Sequence, residues 1–441
     1  MNEQLPVAII GAGPVGLTAA SHLLSRGLDP IIFEAGEAPG ASVRDWGHVR
    51  VFSPWRYNID PVAADLLESN GWTAPRADDY PTGAQIVADY IEPLAAVPAI
   101  SSRLHLDSRV TRVSRHRMDK LKDAGREDAP FELTVERAGV EERHLARAVI
   151  DASGTWTRPN PLGANGIPAA GEEAHSERIA YAIPDVLGRD RARYAGKRVV
   201  VVGSGHSAFN VMLDLVSLRE QEPRTEILWA IRGGDPGRAF GGGEDDQLPA
   251  RAALGEAIRD LVDDGGIELV VGFHIDRVES HDGRVVVVDG DRRLVADEVI
   301  AATGFRPDLT VLGELRLDLD DRVEAPRSLA PLIDPNVHSC GTVPPHGVDE
   351  LSHPDAGVYV VGMKSYGRAP TFLLRTGYEQ ARSVVAALAG DWESARRVEL
   401  VLPETGVCSV SRDASCDDDR ELPVAACCGT ATEDELVANA V

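Results

Sequence analysis

Two glycine-rich loops are the positions at which this sequence could bind phosphate groups. The first loop follows a run of four apolar residues and holds Gly11, Gly13 and Gly16 ahead of a helical stretch. The first glycine permits a tight turn, the second lets backbone approach a pyrophosphate, and the third lets helix and strand pack closely. The next apolar run ends at Glu34, whose carboxylate is placed to accept hydrogen bonds from a ribose. This first glycine loop (Gly11–Gly16) predicts a dinucleotide site.

A second glycine loop (Gly203–Ala208) repeats the pattern in the middle of the chain. Gly203, Gly205 and Ala208 follow a valine-rich run, and the apolar run after the next helical stretch ends at Arg232 instead of an acid. A guanidinium group at that position accommodates the 2′-phosphate of NADP, so the sequence favours NADPH over NADH. The alternative is that Arg232 is only a solvated charge at the end of a strand.

The cysteines are few, and most of them are close to the C-terminus. Their odd number, in a long chain without a secretion signal, argues against a disulfide framework. The spacing does not match a zinc finger or ribbon, but thiolates on one segment could bind a soft trivalent metalloid such as As(III) or Sb(III). Incidental cysteines and thiol redox sensing are the alternatives. The predicted metalloid ligands are Cys340, Cys408, Cys416, Cys427 and Cys428.

Composition narrows the class of protein. The chain has 441 residues, 43 % of them hydrophobic, and its 45 Lys and Arg against 70 Asp and Glu give a net charge of −25. That charge disfavours binding to nucleic acid or to an anionic membrane surface. No apolar run approaches the ~20 residues needed to span a bilayer, and the N-terminus lacks a signal-peptide pattern. We expect a cytoplasmic protein of two or three domains with no nucleic-acid or membrane partner.

Two similar segments are predicted to connect the domains that carry the glycine loops. Asp151–Trp156 and Ala302–Pro307 each follow an apolar run, and they lie on either side of the second glycine loop. This arrangement predicts an α/β fold with two Rossmann-like domains, the second inserted into a discontinuous first domain. The predicted boundaries are 1–160 and 291–395 for the first domain, 161–290 for the inserted domain, and 396–441 for an irregular, acidic, cysteine-containing tail.

Three further residues are predicted to lie near the nucleotides. A buried strand pattern ends at Gly362 and precedes a helix, so the N-terminus of that helix should approach the first nucleotide. His175 and Arg306 are candidates for catalytic roles beside the bound nucleotides. For each of them the alternative is a residue that only packs the domains together.

Two dinucleotide loops with an inserted second domain resemble the two-dinucleotide-binding-domain flavoproteins, and in particular the flavin-containing monooxygenases. The resemblance covers about residues 5–395. It implies FAD on the first glycine loop and Glu34, and NADPH on the second glycine loop and Arg232. It also implies that NADPH reduces the flavin, which takes up O2 and oxidises a soft nucleophile through a flavin hydroperoxide.

The monooxygenase signature is only partly present. The family carries F-x-G-x-x-x-H-x-x-x-(F/Y/W) before the NADP domain. Gly171 and His175 match this pattern, but Ala169 and Ile179 replace its two aromatic residues, and Tyr181 is an alternative to the second of them. A related oxidase that yields peroxide is therefore left open.

The cysteines also bear on the choice of family. Disulfide and mercuric reductases share the architecture but need a cysteine pair beside the flavin, and no cysteine precedes Cys340. Cys427 and Cys428 resemble the vicinal C-terminal cysteines of mercuric reductases. The tail around Cys408 is similar to flavoproteins found in arsenic-resistance operons, which implies metalloid detoxification.

The predicted function is an NADPH- and FAD-dependent monooxygenase that oxidises trivalent arsenicals or antimonials with O2. The alternatives are a flavin-linked metal or thiol reductase that uses Cys427 and Cys428, and a non-catalytic metalloid or redox sensor. A homodimer is a further hypothesis.

Overall fold

The protein contains two five-stranded sheets of parallel strands. The structure is a computed structural model, and it describes residues 4–237, 240, 248–337, 343, 346–369 and 373–400. The strands are β1 (Val7–Ile10), β2 (Pro30–Phe33), β3 (Leu104–His105), β4 (Arg109–Arg115), β5 (Phe131–Arg137), β6 (Val140–Ala146), β7 (Ala148–Asp151), β8 (Ile179–Tyr181), β9 (Arg198–Val202), β10 (Glu226–Ala230), β11 (Glu268–Val270), β12 (Arg277–His281), β13 (Arg284–Asp289), β14 (Arg292–Ala296), β15 (Glu298–Ala301), β16 (Leu319–Asp320), β17 (Ala325–Pro326) and β18 (Val358–Val360).

The helices lie between these strands and after the last of them. The α helices are α1 (Pro14–Ser25), α2 (Ala41–Asp45), α3 (Pro61–Glu68), α4 (Gly83–Ile86), α5 (Glu92–Ala96), α6 (Pro98–Ser101), α7 (Arg191–Tyr194), α8 (His206–Gln221), α9 (Pro249–Asp263), α10 (Ala330–Ile333), α11 (Val348–Leu351), α12 (Leu374–Leu388) and α13 (Trp392–Arg396). A π-helical segment, Val87–Ile91, joins α4 to α5, and short 3₁₀ helices include Glu173–Arg178 and Gly362–Tyr366.

The first sheet has the strand order β18-β7-β1-β2-β3, with every neighbouring pair parallel. Side chains alternate between its faces. Ala8 and Ile10 pack with the antiparallel sheet β4-β5-β6, whereas Val7 and Ile9 pack with α1 and α12. Both faces are covered, which explains why β1 is apolar throughout.

The second sheet has the order β11-β10-β9-β15-β8 and is also parallel. Its two faces are covered by the antiparallel sheet β12-β13-β14 and by α8 and α9. The fold class is confirmed: two Rossmann-type units share one chain. In the part of the chain that the structure describes, no helix combines the length and apolar character needed to cross a membrane.

One predicted boundary needs correction. The second part of the first domain is predicted to begin at residue 291, which would include β15 (Glu298–Ala301). Instead, β15 pairs with β8 and β9 in the second sheet, so the chain leaves the inserted domain after Ala301. The predicted irregular tail begins at residue 396, and its part beyond residue 400 lies outside the described residues.

The two connections between the domains run side by side. We call residues 152–169 the first crossover and residues 302–309 the second crossover. Arg306 N donates to Arg158 O at 3.0 Å, and Asn160 N donates to Gly304 O at 2.9 Å. The rings of Trp156 and Phe305 stack 4.8 Å apart. The crossovers therefore form a short antiparallel ribbon beside the carboxyl ends of β7 and β15.

Candidate functional site

The first glycine loop joins β1 to α1. Gly11 has φ +100°, and a Cβ there would lie 2.9 Å from Ala152 O, while a Cβ at Gly16 would lie 2.0 Å from Gly11 O. The fold itself therefore requires these two glycines. A Cβ at Gly13, in contrast, would meet nothing within 4 Å, and the N-terminus of α1 has no side-chain cap and no acid in its first turn. That open space fits the pyrophosphate of FAD.

Glu34 follows β2 and is buried beside this loop. Its Oε2 accepts from Ala12 N and its Oε1 accepts from Gly36 N, both at 2.8 Å. The carboxylate therefore holds the loop in shape, a role that spacing alone did not indicate. Its position at the carboxyl end of β2 is also the one from which a ribose is bound in this fold.

The second glycine loop has the same geometry. Gly203 has φ +130°, and a Cβ there would lie 2.2 Å from Ala302 O, whereas a Cβ at Gly205 would meet nothing within 4 Å. Ala208 is fully buried where the loop enters α8. Arg232 lies just beyond β10, where its exposed guanidinium donates from Nη1 to Ala164 O at 3.2 Å. The open N-terminus of α8 fits the pyrophosphate of NADPH.

A buried ion pair lies at the carboxyl end of the first sheet. Lys364 Nζ donates to Asp151 Oδ2 at 2.7 Å and to Ser153 Oγ at 2.9 Å. Ser153 Oγ in turn donates to Asp151 Oδ1 at 2.6 Å. Sequence reasoning missed this cluster, because its only signals are an acid that ends one buried strand and a lysine just after another.

Gly362 follows β18 and lies next to the first glycine loop. It has φ +70°, and a Cβ there would contact Val15 of α1 at 3.3 Å. Gly362 N donates to Gln380 Oε1 at 2.7 Å, which ties this turn to the middle of α12. Gln380 is fully buried and was not identified from the sequence.

A cavity of about 220 Å³ lies between the two domains. Trp156 Nε1 donates to Asp45 Oδ2 at 2.9 Å across its wall, joining the first crossover to α2. The Tyr194 hydroxyl is buried and has no hydrogen-bond partner among the described residues. The residues around the cavity include Asp45, Trp156, Tyr181, Arg189, Arg193 and Tyr194. Its walls therefore combine aromatic rings with charged side chains.

The partial monooxygenase signature forms a structural turn before β8. His175 Nδ1 lies 2.9 Å from Gly171 O. Buried Glu172 accepts from Ala169 N at 2.7 Å and from the Tyr181 hydroxyl at 2.6 Å. Burial and this hydrogen bond raise the pKa of Tyr181. Glu172, which was not singled out from the sequence, is therefore the residue that organises this segment.

The structure separates the two predicted catalytic residues. His175 precedes β8, whereas Arg306 follows β15, and these neighbouring strands are parallel. His175 is therefore at the amino end of the second sheet and Arg306 at the carboxyl end. Ligands of open α/β sheets bind outside the carboxyl ends of the strands, which is where Arg306 lies.

The predicted metalloid ligands Cys340, Cys408, Cys416, Cys427 and Cys428 all lie outside the described residues. Within the described ranges, no group of three or more His, Cys, Asp or Glu side chains is arranged to hold a metal ion. The metalloid site therefore stays a prediction.

Comparisons with known proteins agree with this fold. A family model described as pyridine nucleotide-disulphide oxidoreductase matches residues 8–327. The ferredoxin–NADP reductase of Gluconacetobacter diazotrophicus is 27 % identical over 327 residues, which cover 71 % of this chain and 75 % of the reductase. Bacillithiol disulfide reductase from Bacillus cereus shares the fold with a TM-score of 0.65 and 20 % identity, over 88 % of this chain and 99 % of that one. A mutant flavin monooxygenase from Stenotrophomonas maltophilia also shares the fold, with a TM-score of 0.57 and 22 % identity, over 88 % of this chain and 98 % of that one. The chain is an FAD- and NADPH-dependent oxidoreductase, and it belongs to the pyridine nucleotide-disulphide oxidoreductase family.

Proposed function

We propose that this protein is a monooxygenase that transfers one oxygen atom from O2 to a soft nucleophile, with trivalent arsenicals and antimonials as the substrate class. The overall reaction consumes NADPH, a proton, O2 and the substrate, and yields NADP⁺, water and the oxygenated substrate. Bound FAD supplies the chemistry, because it accepts a hydride from NADPH and then reacts with O2. The protein binds, orients and shields the reactants.

The observation that carries this proposal is that residues 1–339 contain no cysteine. Both glycine loops, both crossovers, all five strands of the second sheet and four of the five strands of the first sheet lie within that range. A disulfide reductase needs a dithiol beside the flavin to receive its electrons. Since neither loop region offers one, this proposal passes the electrons to an acceptor that is brought in from solution.

The cavity between the domains supports a small molecule as the substrate. Its volume of about 220 Å³ suits a compact group. Asp45 of the first domain and Trp156 of the first crossover line it on one side, and the segment after β8 lines it on the other. In this proposal the tail cysteines capture a trivalent metalloid as thiolate ligands, and the pentavalent product, which binds thiols poorly, is released.

A second candidate is a reductase that passes electrons to an external carrier. It is favoured by the relative from Gluconacetobacter diazotrophicus, of which this chain spans 75 % and which is named a ferredoxin–NADP reductase. A thiol or metal reductase that uses Cys427 and Cys428 is a variant of the same idea. Both would run without O2.

The test is NADPH and O2 consumption by the FAD-loaded protein, in air and under nitrogen, with arsenite, methylarsenite or antimonite. The matched variant carries Ser at the four cysteines beyond residue 400. We expect metalloid-stimulated turnover with one O2 consumed per NADPH, lost under nitrogen and weakened in the variant. Undiminished turnover under nitrogen with ferricyanide or ferredoxin would assign a reductase instead. Stoichiometric peroxide with no stimulation by any substrate would assign an oxidase.

A further inference from the structure

Two arginine side chains from different domains approach the same glycine. Arg306 lies in the second crossover, and Arg368 follows the 3₁₀ helix Gly362–Tyr366. Gly166, in the first crossover, has φ +83°, and a Cβ there would lie 3.3 Å from Arg368 Nη2 and 3.9 Å from Arg306 Nη2. Glycine therefore supplies both the backbone conformation and the space that let the two guanidinium groups converge.

The backbone on both sides of this point is held in place. Arg306 Nε donates to Asn160 Oδ1 at 2.8 Å, and Arg306 Nη2 donates to Gly166 O at 3.0 Å. Arg368 N donates to Val323 O at 2.6 Å. These contacts fix the Arg306 guanidinium and the backbone of Arg368. Among the described residues they leave N–H donors of both guanidinium groups unused, since each guanidinium carries five.

Positive charge is in excess at this position. Among the described residues, Arg306 has no carboxylate within ion-pair distance, and the carboxylate nearest to Arg368 is Glu324, at 3.9 Å. A third guanidinium, that of Arg158, is within 3.7 Å of Asp308. Burial and the charge of Arg368 both lower the pKa of Arg306. Converging like charges are unfavourable unless an anion offsets them.

We infer that Arg306 and Arg368 together bind a small oxyanion group. The position supports this, because Arg306 follows the carboxyl end of β15 in the second sheet and Arg368 follows the carboxyl end of β18 in the first. Ligands of both sheets meet at those ends. The planar fork of arginine matches the geometry of phosphate and carboxylate.

The oxyanion has two possible sources: a phosphate of the dinucleotide bound at the second glycine loop, or an acid group of the substrate. Arg232 also contacts this crossover, at Ala164, two residues before Gly166. The two arginine sites differ, because Arg232 is assigned to the 2′-phosphate alone. This inference does not depend on which acceptor finally takes the electrons.

The first experiment measures Tm of the FAD-loaded protein in inorganic phosphate and in chloride at matched ionic strength. The variant is Arg368→Gln, which removes no hydrogen bond within the described structure, and the control is Arg112→Gln, an exposed arginine on β4. We expect phosphate to raise Tm of the wild type and the control, and to raise it much less in Arg368→Gln. Arg368→Lys keeps the charge and should respond in between.

The second experiment distinguishes the sources by titrating NADP⁺ and NAD⁺ into the same proteins and into Arg232→Gln. A dinucleotide phosphate at the new site would make Arg368→Gln weaken both nucleotides, each by about tenfold. A substrate acid group would leave both nucleotides unchanged while the phosphate response is lost. The inference is overturned if Arg368→Gln, folded with an unchanged urea midpoint, shows the wild-type response to phosphate and to both nucleotides.

Discussion

Lys364 Nζ lies 2.7 Å from Asp151 Oδ2, and the two side chains are 3 % and 1 % exposed. This pair joins the turn after β18 to the end of β7, next to the first glycine loop. Such a pair is costly to bury and is retained here where three strands of the first sheet end together, β1, β7 and β18. We expect it to hold the FAD-binding edge of that sheet in shape.

Replacing Lys364 tests this role. Lys364→Met leaves Asp151 buried without its counter-charge, so we expect the free energy of unfolding to fall by about 3–5 kcal/mol and FAD to bind more weakly. Lys197→Met, at an exposed lysine, should change stability by less than about 0.5 kcal/mol. Urea unfolding and flavin titration measure both effects. Equal stability of the two variants would show that the pair contributes nothing, and adding Asp151→Asn to Lys364→Met should restore part of the loss.

The open glycines provide a reciprocal test of the two cofactor sites. Gly13→Val and Gly205→Val place side chains where a Cβ meets nothing within 4 Å. Both variants should therefore fold, even where a cofactor no longer binds. We expect Gly13→Val to lose FAD, and Gly205→Val to keep FAD but lose NADP⁺ binding. Each variant is the control for the other, with flavin absorbance and nucleotide titration as the measurements. Stoichiometric flavin in Gly13→Val would contradict the first assignment.

Gly16→Ala tests the requirement of the fold itself for glycine in this loop. Its Cβ would lie 2.0 Å from Gly11 O, so this smaller substitution should destabilise the protein itself. The three glycines of the loop therefore have different tasks. Spacing in the sequence identifies the loop, but only the structure shows which glycine faces empty space.

Local patterns in the sequence were sufficient for the fold class and both loops. Each buried parallel strand is a continuous apolar run, and each loop joins such a run to a helix, so the information lies within about 30 residues. The partner of β15 could not be predicted, because a short apolar strand does not reveal which sheet it joins. The contacts of Lys364 with Asp151 and of Arg368 with Gly166 connect positions far apart in the chain, and no local pattern indicates them.

His353 should make stability depend on pH. Burial lowers the pKa of His353 to about 4, its Nδ1 accepts from Asp318 N, and its Nε2 is buried without a partner among the described residues. Below its unfolded pKa, the unfolded chain binds a proton that the folded protein excludes, so stability falls as pH drops from about 6.5 to about 4, by about 3 kcal/mol. His353→Asn keeps an acceptor for Asp318 N and should lose this dependence. His281→Asn, at an exposed histidine, should keep it; identical pH profiles for His353→Asn and the wild type would contradict the prediction.

Asp214 on α8 should make stability depend on pH in the opposite direction to His353. Burial, with a smaller effect of Asp185, raises the pKa of Asp214 to about 6. The folded protein therefore binds more protons than the unfolded chain between about pH 4 and 6, and its stability falls as pH rises through that range. Because Asp214 is partly exposed, solvent screening reduces the effect of its raised pKa on stability. Asp214→Asn should stabilise the protein by about 1–2 kcal/mol at about pH 7.5 and by almost nothing at about pH 4. Asp65→Asn, at an exposed helical position, is the control, and an equal gain at both pH values would exclude burial of Asp214 as the cause.

Arg232 determines the choice of nicotinamide cofactor in our assignment of the second site. Its guanidinium is exposed beyond β10, and its hydrogen bond within the described part of the chain is to Ala164 O, so it is available to a 2′-phosphate. Because NADH lacks that phosphate, Arg232→Gln should raise KM for NADPH by about tenfold and KM for NADH by less than about twofold. Arg232→Lys keeps the charge without the planar fork and should fall between the two. Steady-state kinetics with both cofactors measures the difference, and equal effects on NADPH and NADH would mean that Arg232 is only a solvated charge at the end of a strand.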